Sequence, residues 1–96
     1  MSTEIQAIGR VVTSKAGRDK GRSFLITGVI DENHVYVVDG TLRKLANPKK
    51  KKLKHLTMES AEAEGIREKL TTGKQVFDAE IRNCLIHLGF NQETQD

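Results

Sequence analysis

Alternation of hydrophobic and polar residues in the first half of the chain predicts short β-strands. A first strand is predicted over residues 8–14, although the adjacent Val11 and Val12 make its alternation imperfect. Residues 23–30 form the most strand-like segment, because β-branched and aromatic side chains occur throughout it. Gly28 interrupts this run, and a glycine at such a position predicts a bulge or a sharp bend.

A returning strand and a hairpin are predicted next. Polar residues 31–33 form a turn, and residues 34–38 return as a strand. Tyr36 can stack on a base or pack in the core, and packing is favoured because the chain has so few aromatic residues. The dipeptide Asp39-Gly40 predicts a type I′ hairpin turn, which needs positive φ at both central positions.

A further strand is expected over residues 41–45, with Leu42 facing inward and Arg43 pointing outward. Asn47-Pro48 ends it, and Pro48 makes the chain there a loop or an edge, because proline cannot donate to a β-ladder.

From residue 57 onward the spacing of apolar residues becomes helical. Ala63, Ile66 and Leu70 share one face of a predicted helix that begins at Ser60 as N-cap and ends at Gly73. A second helix is predicted from Asp78 as N-cap to Gly89, with an apolar stripe of Ile81, Cys84, Leu85 and Leu88. The two helices are expected to pack on each other or on the strands, and a protein-binding surface is the weaker alternative.

Length and composition limit the function classes. Ninety-six residues suffice for one small domain, and 36% hydrophobic with 30% charged residues describes a globular chain. The sequence has no apolar run long enough to span a membrane and no secretion-signal pattern at its start, so a cytoplasmic protein is expected. Cys84 is expected to be a buried structural thiol, and three scattered histidines show no metal-ligand spacing. No cofactor, small-molecule substrate or catalytic constellation is indicated, so an enzyme is not expected.

Charge is distributed unevenly along the chain. Residues 1–56 contain twelve Lys or Arg against five Asp or Glu, a net charge of +7, whereas residues 57–96 contain four against eight, a net charge of −4. A basic half beside an acidic half indicates that the first half contacts a polyanion.

The basic charge is concentrated first in the stretch Gly9 to Arg22, which turns through AGRDKG with Gly17 and Gly21 on either side of the tip. Its basic residues are Arg10, Lys15, Arg18, Lys20 and Arg22, and Asp19 is its only acid. Glycine tolerates positive φ and leaves room for backbone N–H groups to approach a phosphate. A nucleotide-binding P-loop is excluded, because these glycines are one residue too close, Arg22 replaces the required lysine, and strand formers follow instead of a helix. A turn that is basic without any function is the remaining alternative.

Four consecutive lysines, Lys49 to Lys52, form the second concentration of charge and are expected in a loop. Most lysine runs are solvated surface features. Here Leu53 and Leu56 are expected to anchor the run beside the other cations. The four lysines repel one another, and a bound polyanion would relieve this repulsion, so phosphate contact is favoured.

Residues 9–22, followed by residues 31–56, resemble a KOW-type RNA-binding domain. The AGRDKG turn is a general KOW feature, and VVDG followed by LRKL and a lysine run before HL is similar to the eukaryotic-type large-subunit ribosomal protein fourteen family and its small standalone bacterial relatives. The resemblance covers residues 5–57. It implies a small SH3-like β-barrel that binds structured RNA, usually ribosomal RNA, without enzymatic activity.

The sequence therefore predicts a mainly β fold, with an SH3-like barrel over residues 1–57 and a helical extension over residues 58–96. The expected function is non-catalytic binding of structured ribosomal RNA, or a ribosome-associated or translation-related role. The residues expected to contact RNA are Lys15, Gly17, Arg18, Lys20, Gly21, Arg22, Arg43, Lys44, Lys49, Lys50, Lys51, Lys52 and Lys54. The alternative is an SH3-like protein-interaction adaptor, although few aromatic residues are present to line a peptide groove. Duplex DNA is disfavoured, because neither acidic helix suits the major groove.

Overall fold

The computed structural model describes residues 7–92, and its main element is an open five-stranded antiparallel sheet. The strands are β1 (Arg10–Ser14), β2 (Ser23–Val29), β3 (His34–Val38), β4 (Lys49–Lys52) and β5 (Leu56–Glu62). Their order across the sheet is β4-β3-β2-β1-β5, and within residues 7–92 no ladder joins β4 to β5. The expectations of a loosely held start at residues 1–6 and of fraying at residues 93–96 lie outside the described residues.

Three of the predicted strands are confirmed, with small differences at their ends. β1 pairs with β2 through Val11 opposite Leu25, and β2 pairs with β3 through Leu25 opposite Val38. The predicted irregularity at Gly28 is also confirmed, because the register between β2 and β3 shifts between Ile26 and Gly28.

Hydrophobic clusters lie on both faces of the sheet at β1, which explains why the alternation in this strand is imperfect. Val11 faces a cluster shared with the helices, and the adjacent Val12 faces the opposite side. The helix-side cluster contains Val11, Leu25, Val38, Ala63, Ile66, Ile81 and Leu85. The strand cluster contains Val12, Phe24, Ile26, Val35, Val37 and Leu56, with Leu53 packed against it.

Two helices follow the sheet, α1 (Glu64–Thr71) and α2 (Asp78–His87). Their apolar stripes pack on the helix-side cluster as predicted, with Ile66, Ile81 and Leu85 buried. Cys84 lies half-buried at the same cluster, and burial raises the pKa of its thiol, so the reactive thiolate is disfavoured. Within residues 7–92, no helix has the length and apolar character needed to cross a membrane.

Both predicted helix N-caps are wrong. Ala63 precedes α1 and provides no side-chain cap. Phe77 occupies the cap position of α2, where its N–H donates to Glu80 Oε2 at 3.0 Å. Asp78 is instead the first residue of α2, and its Oδ1 accepts from the N–H of Leu45 at 2.8 Å.

The segment after residue 57 is a strand and not the start of a helix. β5 pairs with β1, so that Met58 lies opposite Val12 and Glu62 opposite Arg10. This edge of β1 would otherwise have exposed its backbone groups, and pairing outweighs the helical spacing of the local sequence. The expected boundary after residue 57 therefore falls inside β5.

The predicted strand over residues 41–45 and the type I′ turn are also wrong. Only Gly40 of the dipeptide Asp39-Gly40 has positive φ, at 80°. Residues 39–48 form an irregular loop, in which Asp39 Oδ1 accepts from the N–H groups of Thr41 at 3.0 Å and Arg43 at 2.8 Å. Leu42 was expected to face inward, but 61% of its surface is exposed.

Candidate nucleic-acid interface

The turn between β1 and β2 has the open, glycine-bracketed form that the sequence predicts. Gly17 and Gly21 have φ of 79° and 88°, values that side-chain-bearing residues rarely adopt. Lys20 N donates to Gly17 O at 3.2 Å, and Gly21 N donates to Ser14 O at 2.8 Å, so backbone bonds close the turn. A Cβ built on either glycine meets no atom within 4 Å, which leaves these positions accessible to a large partner.

Asp19, at the tip of this turn, is a buried acceptor for cations from two other segments. It is only 6% exposed. Arg43 Nη2 lies 3.1 Å and Lys51 Nζ 3.7 Å from Asp19 Oδ2. The one acid of the basic turn thus ties the turn to the 39–48 loop and to β4.

Asp39 forms a second buried anchor beside the first. Its carboxylate accepts from the guanidinium Nε of Arg22, in addition to the backbone N–H groups of Thr41 and Arg43. Burial alone would raise the pKa of Asp39, but the hydrogen bonds from these three donors outweigh it and lower the pKa. Arg22 is consequently held at the base of the turn.

Helix α2 holds the 39–48 loop in place. A Cβ on Gly40 would lie 2.3 Å from Asp78 O, so the loop backbone and α2 meet at a contact that only glycine allows. Asp78 also accepts from Leu45, as described above. Helix α2 therefore positions the loop that contains Arg43 and Lys44.

The four lysines were expected in a loop, but they form the edge strand β4. Strand geometry divides them between two faces, because successive side chains point in opposite directions. Lys49 and Lys51 lie opposite Val37 and Val35, and Lys50 and Lys52 lie opposite Tyr36 and His34. The expected anchoring of the run by Leu53 and Leu56 is confirmed.

The thirteen predicted residues thus fall into three groups. Arg22, Arg43 and Lys51 bind the internal carboxylates Asp39 and Asp19. Gly17 and Gly21 shape the turn. Eight cations are exposed: Lys15, Arg18, Lys20, Lys44, Lys49, Lys50, Lys52 and Lys54.

These exposed cations surround the turn and the edge strand without lying on a single face. Lys15 N donates to His55 O at 2.7 Å, which places the start of the turn beside the 3-10 turn Leu53–His55 that contains Lys54. Lys50 and Lys52 lie on the face of β4 opposite to Lys51. A polyanion that meets all of them must pass around the open edge of the sheet.

Sequence reasoning assigned Tyr36 to the core, and this is wrong. The side chain lies on the outer surface of β3 and is 42% exposed. The alternation of HVYVV carried the necessary signal, because burial of Val35 and Val37 places His34 and Tyr36 on the other face.

Comparison of the chain with models of known protein families, and with curated proteins, finds no match.

Proposed function

We propose that this chain is a non-catalytic cytoplasmic RNA-binding protein that contacts structured ribosomal RNA or acts as a ribosome-associated or translation-related factor. One observation carries the proposal: eight exposed cations surround a glycine-bracketed turn and an adjoining edge strand, which a buried carboxylate ties together. Cations held on rigid elements lose less conformational entropy on binding than cations on a mobile tail.

The fold proposed for residues 10–62 is a KOW-type SH3-like barrel. Its support is the order of the strands, in which β1 pairs with both β2 and β5, together with the 3-10 turn Leu53–His55 between β4 and β5. The strand cluster lies on one face of this sheet, and α1 and α2 pack on part of the other face.

Two kinds of cation have different roles in this proposal. Arg18, which is exposed at the turn, provides the forked guanidinium suited to bidentate phosphate contact, and the exposed lysines supply diffuse affinity. Arg22, Arg43 and Lys51 are occupied by Asp39 and Asp19, so they shape the surface more than they neutralise RNA. This assignment moves Arg22 from the phosphate-binding group to the positioning group.

Affinity that comes from phosphates must depend on salt. If five or six of the exposed cations engage, the slope of log K against log salt concentration is roughly −3 to −5. Phosphate contacts carry little sequence information, so the shape of the folded RNA supplies the specificity.

The test is charge reversal with a matched control. Lys20→Glu combined with Lys50→Glu should weaken binding to ribosomal RNA and flatten the salt slope. Lys69→Glu combined with Lys74→Glu makes the same change in net charge in the helical half and should leave both close to wild type. Equal losses in the two variants, or a wild-type affinity that does not respond to salt, would overturn the proposal.

The adaptor alternative requires a continuous apolar groove. The exposed large hydrophobic residues of the described chain are distributed over separate elements: Tyr36 on β3, Leu42 in the 39–48 loop, Met58 on β5, and Phe77 and Ile86 at α2. Capture of partners from lysate with and without nuclease separates the two functions, because an adaptor retains its partners after RNA is removed.

A further inference from the structure

The face of the sheet that carries Tyr36 combines an exposed aromatic ring with cations. Tyr36 and Lys50 are directly opposite in the β3–β4 ladder, and the next pair on this face is His34 opposite Lys52. Directly opposite residues of an antiparallel pair have Cβ atoms about 5 Å apart, so each cation lies beside an aromatic or imidazole ring.

Gly28 makes room for the tyrosine ring on the neighbouring strand. It is paired with Tyr36, and a Cβ built on Gly28 would lie 3.5 Å from Tyr36 Cδ2. The ring therefore lies against the backbone of β2, where one side is supported and the rest of its surface is exposed. An aromatic ring fixed in this way on a sheet is suited to stacking, because little side-chain freedom is lost when a base binds.

One more cation, Lys54, and one more polar residue, Asn33, continue the surface at the end of β4. Asn33, His34, Lys52 and Lys54 line a cleft of about 290 Å³. Asn33 O accepts from Leu53 N at 2.8 Å, which fixes the turn between β2 and β3 beside the 3-10 turn. His34 Nδ1 is 2.9 Å from Asp31 Oδ1, so the orientation of its ring is fixed as well.

We infer that this surface binds an unpaired nucleotide of the RNA, with its base stacked on Tyr36 and the adjoining phosphates on Lys50 and Lys52. Single-stranded nucleic acid is bound by such combinations, in which cations follow the backbone and aromatic rings stack the bases. A base inside a duplex cannot reach the ring, so the site selects loops, bulges or ends of a folded RNA. The inference rests on the proposed RNA-binding function and adds to it a preference for unpaired bases.

The protein contains its own spectroscopic probe for this contact. Tyr36 is the only tyrosine of the chain and tryptophan is absent, so tyrosine emission reports on this ring alone. Titration with a single-stranded oligouridylate of about 10 nucleotides should quench the emission in a saturable way. A long, blunt-ended RNA duplex should bind through phosphates with much less quenching, because almost all of its bases are paired.

Three variants of the full chain separate stacking from packing. Tyr36→Leu keeps an apolar side chain over Gly28 but removes the ring, and it should weaken oligouridylate binding about 5- to 100-fold while leaving the salt slope unchanged. Tyr36→Phe should bind nearly as wild type. Phe77→Ala removes an aromatic side chain that is 56% exposed at the start of α2, and it should have no effect.

The inference is overturned if Tyr36→Leu binds oligouridylate as wild type does, or if saturating oligouridylate leaves the tyrosine emission unchanged. In that case, binding that still depends on salt and on Lys20 and Lys50 leaves the proposed function in place. Failure of the protein to bind any RNA overturns both.

Discussion

Arg43 and Asp19 are 24 positions apart in the sequence, yet Arg43 Nη2 lies 3.1 Å from the buried carboxylate of Asp19. This pair connects the 39–48 loop to the tip of the glycine-bracketed turn. An acid in the middle of a basic turn would weaken phosphate binding if it were exposed. Because Asp19 is buried against Arg43 and Lys51, its charge is compensated internally, and the exposed surface of the turn remains basic.

The first prediction concerns the stability that this pair supplies. Asp19→Asn keeps a hydrogen-bond acceptor but removes the charge, and it should lower the free energy of unfolding by about 1–2 kcal/mol, since Arg43 is partly exposed and solvent screens part of the interaction. Urea unfolding at neutral pH measures this loss.

Glu32→Gln, an exposed acid in the turn between β2 and β3, is the control and should stay within about 0.5 kcal/mol of wild type. Equal stabilities of the two variants would show that Asp19 does not tie these segments together.

Asp39 leads to a prediction about pH. Burial alone would raise its pKa, but the donors Arg43, Thr41 and Arg22 lower the pKa below the ordinary 3.8. The folded protein then binds this proton more weakly than the unfolded chain does. The contribution of Asp39 to stability is therefore complete above about pH 5 and is lost as the pH falls through 3.8 toward the lower folded value.

Comparison with Asp39→Asn isolates this effect. The variant should be less stable than wild type at pH 7, and the difference should shrink as the pH falls from 5 to 3. The pKa values of Asp31 and Glu80 are also lowered, by hydrogen bonds from His34 and Lys69, but both chains contain these groups and their contribution cancels in the difference. A difference in unfolding free energy that stays constant over this range would contradict the prediction.

The sequence predicted the elements whose signal is local. β2 and β3 follow from their β-branched residues, and the stripes of α1 and α2 follow from helical spacing. It did not predict β5, because Ser60 suits a helix N-cap and Ala63 and Ile66 have helical spacing, and β5 follows only when the requirement of β1 for a pairing partner is considered. Helix propensity is weak compared with the backbone pairing of a sheet.

The sequence predicts which residues make the candidate site basic, but it does not predict how they are placed relative to one another. Consecutive lysines indicate a basic surface, but the sequence does not show that Lys51 reaches a carboxylate in a turn more than thirty positions earlier. The dipeptide Asp39-Gly40 suits a hairpin turn. The Asp39 carboxylate instead accepts from backbone N–H groups of its own loop. The sequence pattern alone does not show whether a hairpin turn or this side-chain-bonded loop forms.

A third prediction separates backbone conformation from steric contact at two glycines. Gly40 and Gly73 have nearly equal φ, 80° and 77°, but a Cβ on Gly40 would lie 2.3 Å from Asp78 O, whereas Gly73 has nothing within 4 Å. Gly73→Ala should cost about 1–2 kcal/mol from the left-handed conformation alone. Gly40→Ala should cost about 2–5 kcal/mol, because the 39–48 loop must move away from α2.

Urea unfolding of both variants measures the two costs. The entropic effect of alanine on the unfolded chain is the same in each, so it cancels in the comparison. Equal destabilisation would mean that the loop is not held against α2.

The last prediction concerns neighbouring lysines of β4. Lys50 and Lys52 are exposed on the face with Tyr36, whereas the side chain of Lys51 is only 12% exposed and lies beside Asp19. If phosphates contact the exposed lysines, Lys50→Gln and Lys52→Gln should each reduce the magnitude of the salt slope for RNA binding by about 1. Lys51→Gln removes the same charge one position away, but it should leave the slope unchanged and lower the free energy of unfolding by up to about 1 kcal/mol.

Fluorescence anisotropy with a labelled ribosomal RNA fragment at several salt concentrations gives the slopes, and urea unfolding gives the stabilities. All three variants have the same net charge, so any difference among them depends on where each side chain lies. Identical slopes would show that RNA responds only to the total charge of the lysine run. A larger slope change for Lys51→Gln than for its neighbours would show that Asp19 releases this lysine to the RNA.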